Sequence, residues 1–188
     1  FELVTATFAT YEFDLRGDWE ANKRRIHALD KDIRTDVTES VDETAFLTTV
    51  TLFTNYKRKR DGLSGAVSCK KKDVLDLRFE DYQANKEVVI EGYELAREFL
   101  LSQSVFRKRD LPYTTQIIPL AAIAGYVGSK LFKDPKSQKI VARWFWCGIF
   151  GEMYGGSNET RYCYDIEDVV AEIEGAESEM RTVNDAHF

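Results

Sequence analysis

The residues able to do chemistry in this chain gather around one stretch, Lys139 to Arg161. Between Ile140 and Gly151 only Arg143 is charged, and Trp144, Phe145, Trp146 and Phe150 crowd the same run. A helix apolar on nearly every face is expected to be buried on nearly every face. An arginine inside it needs a partner or a route to water. Glu152, Glu159 or a remote acid would make a structural ion pair. A bound nucleotide, phosphate or partner carboxylate is the functional alternative. Gly155-Gly156 reads either as a plain turn or as the entry to a helix N-terminus binding an anion through Ser157, Thr160 and Arg161. Arg143, Ser157, Glu159, Thr160 and Arg161 are therefore the candidates for an anion or nucleotide boundary.

A second set is cationic. Lys57-Arg58-Lys59-Arg60, Lys70-Lys71-Lys72 and Arg107-Lys108-Arg109 hold ten of the 26 bases. Tyr56 beside Lys57 and Phe106 beside Arg107 add aromatic interleaving. If the runs converge, they make a polyanion-facing surface. Taken singly, each is a solvated helix end, where the helix dipole favours bases.

Other chemistry is poorly provided for. There is no G-x-x-x-x-G-K and no G-x-G-x-x-G. Cys69, Cys147 and Cys163 lie far apart without C-x-x-C spacing, which argues against zinc and against a disulfide framework. Lysines approaching Cys69 would lower its pKa, but a catalytic thiol also needs a histidine base. His27 and His187 are poor candidates, and His27 reads as a solvated or packed side chain. No pair of carboxylates is placed by spacing in a dry cleft. Catalytic and metal-ligating residues are expected to be none.

The elements that must position these groups read as helices. Phe1, Val4, Phe8 and Tyr11 keep helical spacing, with a strand as the alternative. Asp18 can cap a helix from Trp19 to about Ile33. Asp42 can cap the next, whose threonines Thr48, Thr49, Thr51 and Thr54 weaken it. A loop is expected over residues 60–72, then a short apolar turn at Val74 to Leu77. Residues 79–105 form a long helix, and Ile117 to Gly128 an Ala- and Gly-rich one, expected beside the Trp144 helix. Asp134 with Pro135 starts that Trp144 helix. Ser157 or Asn158 caps a further helix, and Asp165 opens another that Gly175 stops. Residues 176–188 are a weakly specified tail. The fold expected is mainly all-α: a single irregular multi-helix bundle, with at most a minor extended segment.

Composition bounds the rest. At 188 residues, with 44% apolar and 31% charged content, the chain is a globular domain rather than a disordered one. Its net charge of −6 argues against a general polyanion binder. From Glu159 onward there are nine acids and two bases, which leaves 24 bases against 23 acids before it. The basic runs thus sit in a near-neutral background. No apolar run is long enough to span a bilayer, and the cysteine usage fits a reducing, cytoplasmic compartment. The opening on Phe1-Glu2-Leu3, inside an apolar pattern, reads as a piece of a longer protein.

Five strings carry a resemblance. They are FELVTATFA at Phe1, DLRGDW at Asp14, VSCKKKDVLDL at Val67, LPYTTQIIPLAAI at Leu111 and RWFWCGIFGEMYGGSNETR at Arg143. In this order, over nearly the whole chain, they resemble the bacterial domain-of-unknown-function family found in GmrSD-type modification-dependent restriction enzymes. The last string with LPYTTQ is the most specific part. The resemblance implies a ParB-like domain with an Asp-Gly-Gln-Gln-Arg motif, tied to nucleotide binding and hydrolysis, and often a downstream nuclease module of His-Asn-His type. This sequence has no Asp-Gly-Gln-Gln-Arg motif and no His-His pair. It resembles the helical region between the two, so no catalytic residue carries over. What the resemblance implies is context: restriction or phage defence, DNA as eventual substrate, and a nucleoside triphosphate used by the longer protein but no cofactor in this piece. The chain is then expected to be a non-catalytic scaffold whose partners are those two modules. The alternative is a DNA-contacting domain using the three basic runs.

Overall fold

The computed structural model describes residues 1–27, 35–156, 158–176 and 179–186. Among them the secondary structure is helical throughout, with no strand. The helices are α1 (Glu2–Ala9), α2 (Leu15–His27), α3 (Glu43–Arg60), α4 (Lys71–Leu75) and α5 (Phe79–Ser102). They continue with α6 (Ile117–Phe132), α7 (Pro135–Phe150), α8 (Glu159–Ile173) and α9 (Arg181–Asn184).

Antiparallel α3 and α5 make the spine. Arg58 near the end of α3 bonds Asp81 at the start of α5 at 2.7 Å, and Thr49 meets the Tyr93 hydroxyl midway at 2.5 Å. The threonines of α3 do not break it. Thr48, Thr49 and Thr51 each return their hydroxyl to the carbonyl four residues back, at 2.8 Å, so the buried polar groups are satisfied within the helix. Asp42 caps α3 by accepting from the Ala45 amide at 2.7 Å.

Helix α6 packs most extensively on α5, and only lightly on α7, where its small residues were expected to lie. Gly92 and Gly125 explain the choice. A Cβ on Gly92 would sit 2.2 Å from the Ala121 carbonyl oxygen, and one on Gly125 would sit 2.7 Å from that of Val88. The two backbones touch because both helices omit a side chain at the crossing. The helical path of α6 breaks at Gly128, whose φ of 76° suits glycine, and resumes to Phe132.

Four further expectations change. Asp18 lies inside the first turn of α2 rather than capping it, and the Gly17 amide bonds Asp14 instead, at 3.0 Å. Asp18 accepts from the Tyr82 hydroxyl at 2.6 Å and from Lys86 at 2.5 Å, tying α2 to α5. The far end expected for that helix, beyond His27, lies outside the described residues. Asp165 does not open a helix, because α8 runs unbroken through it. Within the segment expected to be a weak tail, residues 180–182 are tied down: Met180 and Thr182 are buried, and Arg181 chelates Asp168 at 2.6 Å while sitting 3.9 Å over the Tyr164 ring. The 60–72 loop spans the gap between Arg60 and Lys71, so Lys71 and Lys72 belong to α4.

Candidate functional site

Arg143 overturns the buried reading of α7. Only one stripe of that helix, including Val141, Trp144, Phe145 and Ile149, is buried, while Phe150 is 64% exposed. The Arg143 side chain is 54% exposed and bonds Glu172 near the end of α8 at 3.0 and 3.1 Å. The reason is position. Helix α7 lies at the edge of the bundle, against α8 and α9, so its other face meets water.

The boundary candidates diverge. Arg161 turns to the C-terminal segment and bonds Asp185 at 2.9 Å. Thr160 is exposed, and Ser157 lies outside the described residues. Among the described residues of the set, Glu159 alone lines a cleft. Arg143, Thr160 and Arg161 therefore make no common anion site.

That cleft encloses about 750 Å³. The first turns of α3 and α8 meet there with α4, so that Asp42, Lys71 and Glu159 share the lining with Leu75 and Ile118. Phe1 stands at its edge. The volume falls in the range of ligand and peptide-anchor sites. Lys71, picked out in sequence only as part of a run, is the cation of this cleft.

The basic runs at 57–60 and 107–109 do not meet. Arg107 to Arg109 follow α5 and are strapped to Asp36, ahead of α3, by the Lys108 amide at 2.6 Å. Lys57 to Arg60 end α3, so the 18 residues of that helix put about 27 Å between the two runs. The α3 run is also largely neutralised. Arg58 pairs with Asp81, Lys59 with Glu167 at 2.6 Å, and Arg60 with Glu174 at 2.8 Å. Lys57, Lys70, Lys71, Lys72, Arg107, Lys108 and Arg109 are exposed.

Two clusters were invisible in the sequence. Asp165, 1% exposed, accepts from the Trp144 indole at 2.9 Å, the Tyr154 hydroxyl at 2.5 Å and the Thr182 hydroxyl at 2.5 Å. Burial pushes its pKa up to about 6, against the pull of those three donors. Cys69 and Cys163, 94 residues apart, bring their sulfurs to 3.8 Å. Lys70, Lys71 and Lys72 are exposed, and the Cys69 thiol is raised rather than lowered. The hydrogen bond to Cys163, then burial, hold the Cys69 thiol above its usual value. The same bond favours the Cys163 thiolate.

His27 is a packed histidine, 3.0 Å from the Val41 carbonyl, and burial lowers its pKa. Among the described residues no cluster of three or more His, Cys, Asp or Glu is placed to hold a metal ion. No helix among them is long and apolar enough to cross a membrane. Comparison with protein-family profiles, curated proteins and solved structures finds no match to this chain.

Proposed function

We propose that the chain is a non-catalytic helical scaffold and binding module of the GmrSD-like restriction or phage-defence kind. It supports a ParB-like nucleotide-hydrolysing domain whose motif this sequence does not contain. The nucleoside triphosphate belongs to that domain, DNA cleavage to a nuclease module, and the setting is the cytoplasm. The observation that carries the reading is the cleft between α3, α4 and α8, where Asp42, Lys71 and Glu159 line the walls together with Val74, Leu75 and Ile118. A segment of the ParB-like domain with an apolar anchor flanked by charges fits that lining. Helix α1, which packs on α4 beside the cleft, leaves Leu3 64% exposed, and Tyr11 in the turn after it is 51% exposed, adding apolar surface for the same partner.

The alternative is direct DNA contact through the runs at 57–60, 70–72 and 107–109. Its support is the exposure of Lys70 to Lys72 and Arg107 to Arg109. Against it stand the ion pairs of Arg58, Lys59 and Arg60 and the separation of the runs at 57–60 and 107–109.

A salt-series titration of the purified chain against duplex DNA, plain and base-modified, separates the two. The scaffold reading expects no saturable binding even at low salt. It also expects the chain to bind a separately produced ParB-like domain, and Lys71→Glu to weaken that complex. Tight DNA binding whose log–log salt slope follows about −0.9 per phosphate neutralised would instead establish the DNA-contacting module.

A further inference from the structure

We propose that Cys69 and Cys163 are an oxidation-sensitive thiol pair that closes to a disulfide, fastening the loop before α4 to the second turn of α8. Three observations carry this. The sulfurs already stand 3.8 Å apart, across 94 residues of chain. Both are aimed at one atom, the Glu159 carbonyl oxygen, at 3.5 Å from Cys69 and 3.1 Å from Cys163, so the two side chains share a wall. Cys69 also lines the cleft, which gives a small oxidant a path to an otherwise buried pair.

Bond formation needs each sulfur to move by roughly 0.9 Å, to reach the disulfide length of about 2.05 Å. The Cys69 side can give. It lies near the end of the ten-residue loop between α3 and the five-residue α4, not in a long helix. Cys163 needs only to release its bond to Glu159. The oxidant is a peroxide. One thiolate attacks a peroxide oxygen; the O–O bond breaks, giving hydroxide and a sulfenic acid. The second thiolate then attacks the sulfenic sulfur, forming the S–S bond and releasing hydroxide. Overall, two thiols and one hydrogen peroxide give a disulfide and two waters. The two electrons pass from the sulfurs to the peroxide.

The product spans the cleft wall. It ties α4, which carries Lys71, to α8, which carries Glu159, and fixes the spacing of those two groups.

The test is a thiol count and intact mass on the wild-type chain before and after stoichiometric hydrogen peroxide, both read under denaturing conditions. The expected result is loss of two of the three thiols and about 2 Da, with a linked peptide pair containing Cys69 and Cys163, reversed by dithiothreitol. Cys147→Ser should behave as wild type, and Cys163→Ser should lose the linkage. Closing so long a loop should raise the Tm of the oxidised chain by roughly 10 °C. Retention of all three thiols would overturn the proposal. So would oxidation confined to Cys147, a sulfinic product on either buried cysteine, or a disulfide between two chains. The wild-type measurement stands even if a variant fails to fold.

Discussion

Asp165 holds its carboxylate between donors from three segments: Trp144 on α7, Tyr154 in the turn after it, and Thr182 on α9. Removing it by Asp165→Ala leaves those three buried donors without an acceptor. The expected cost is at least about 3 kcal/mol, read by chemical denaturation. Asp165→Asn keeps the oxygen that accepts from both Trp144 and Thr182, and removes the charge. It therefore isolates the titration. The folded pKa, about 6, lies above the unfolded value of 3.8, so the folded state holds the proton more tightly. This contribution is fully present below about pH 4 and is lost as pH rises through 6, by about 3 kcal/mol. The Tm of the wild type relative to Asp165→Asn should fall across that window; a constant difference would remove the effect. Arg143 gives the opposite expectation. Its ion pair with Glu172 is largely in water, so Arg143→Ala should cost under about 1 kcal/mol. Burial decides between these two residues. In sequence Arg143 looks enclosed by aromatics, while Asp165 looks like an ordinary cap.

At the scale of elements, the contact of α5 with α6 depends on two absent side chains. Gly92→Ala drives a methyl into the Ala121 carbonyl oxygen, a backbone atom that cannot rotate away. The expected loss is roughly 2–3 kcal/mol or more, with reduced cooperativity of thermal unfolding. Gly65→Ala, with nothing within 4 Å of the added carbon, is the control and should stay within about 0.5 kcal/mol of wild type. Asp42→Ala should remove about 1 kcal/mol by opening the first turn of α3. The helices were largely legible because spacing and caps are local. Asp42 caps α3 and Asp134 starts α7 as their neighbours indicate. Gly128 was legible as a break, though the chain resumes helix beyond it. The partner of α6 was not legible. Gly92 sits within an ordinary helical stripe, and nothing local says which neighbour will approach it.

At the scale of the whole molecule, charge is organised by pairing across the fold rather than by runs along the chain. The acidic C-terminal portion supplies Glu167 and Glu174 to the basic end of α3, and Glu172 to Arg143. Three of the four bases of that cluster, Arg58, Lys59 and Arg60, thus become ties to other parts of the fold. The charge-reversing pair Lys59→Glu and Arg60→Glu should loosen α3 from α8 and lower the Tm by a few degrees at low salt. In high salt most of that difference should vanish if exposed ion pairs are its cause.

The sequence by itself determined that this protein is helical, where most helices start, and which residue types were available for chemistry. Those properties follow from propensity, periodicity and caps acting within a turn or two. Only the tertiary structure decided that Cys69 meets Cys163, that Asp165 gathers three donors, and that Lys71 and Glu159 share a cleft. It also decided that Arg143 faces water. The physical reason is that burial and long-range pairing depend on how helices cross, and a crossing is set by side chains far apart in the chain, or, at Gly92 and Gly125, by their absence.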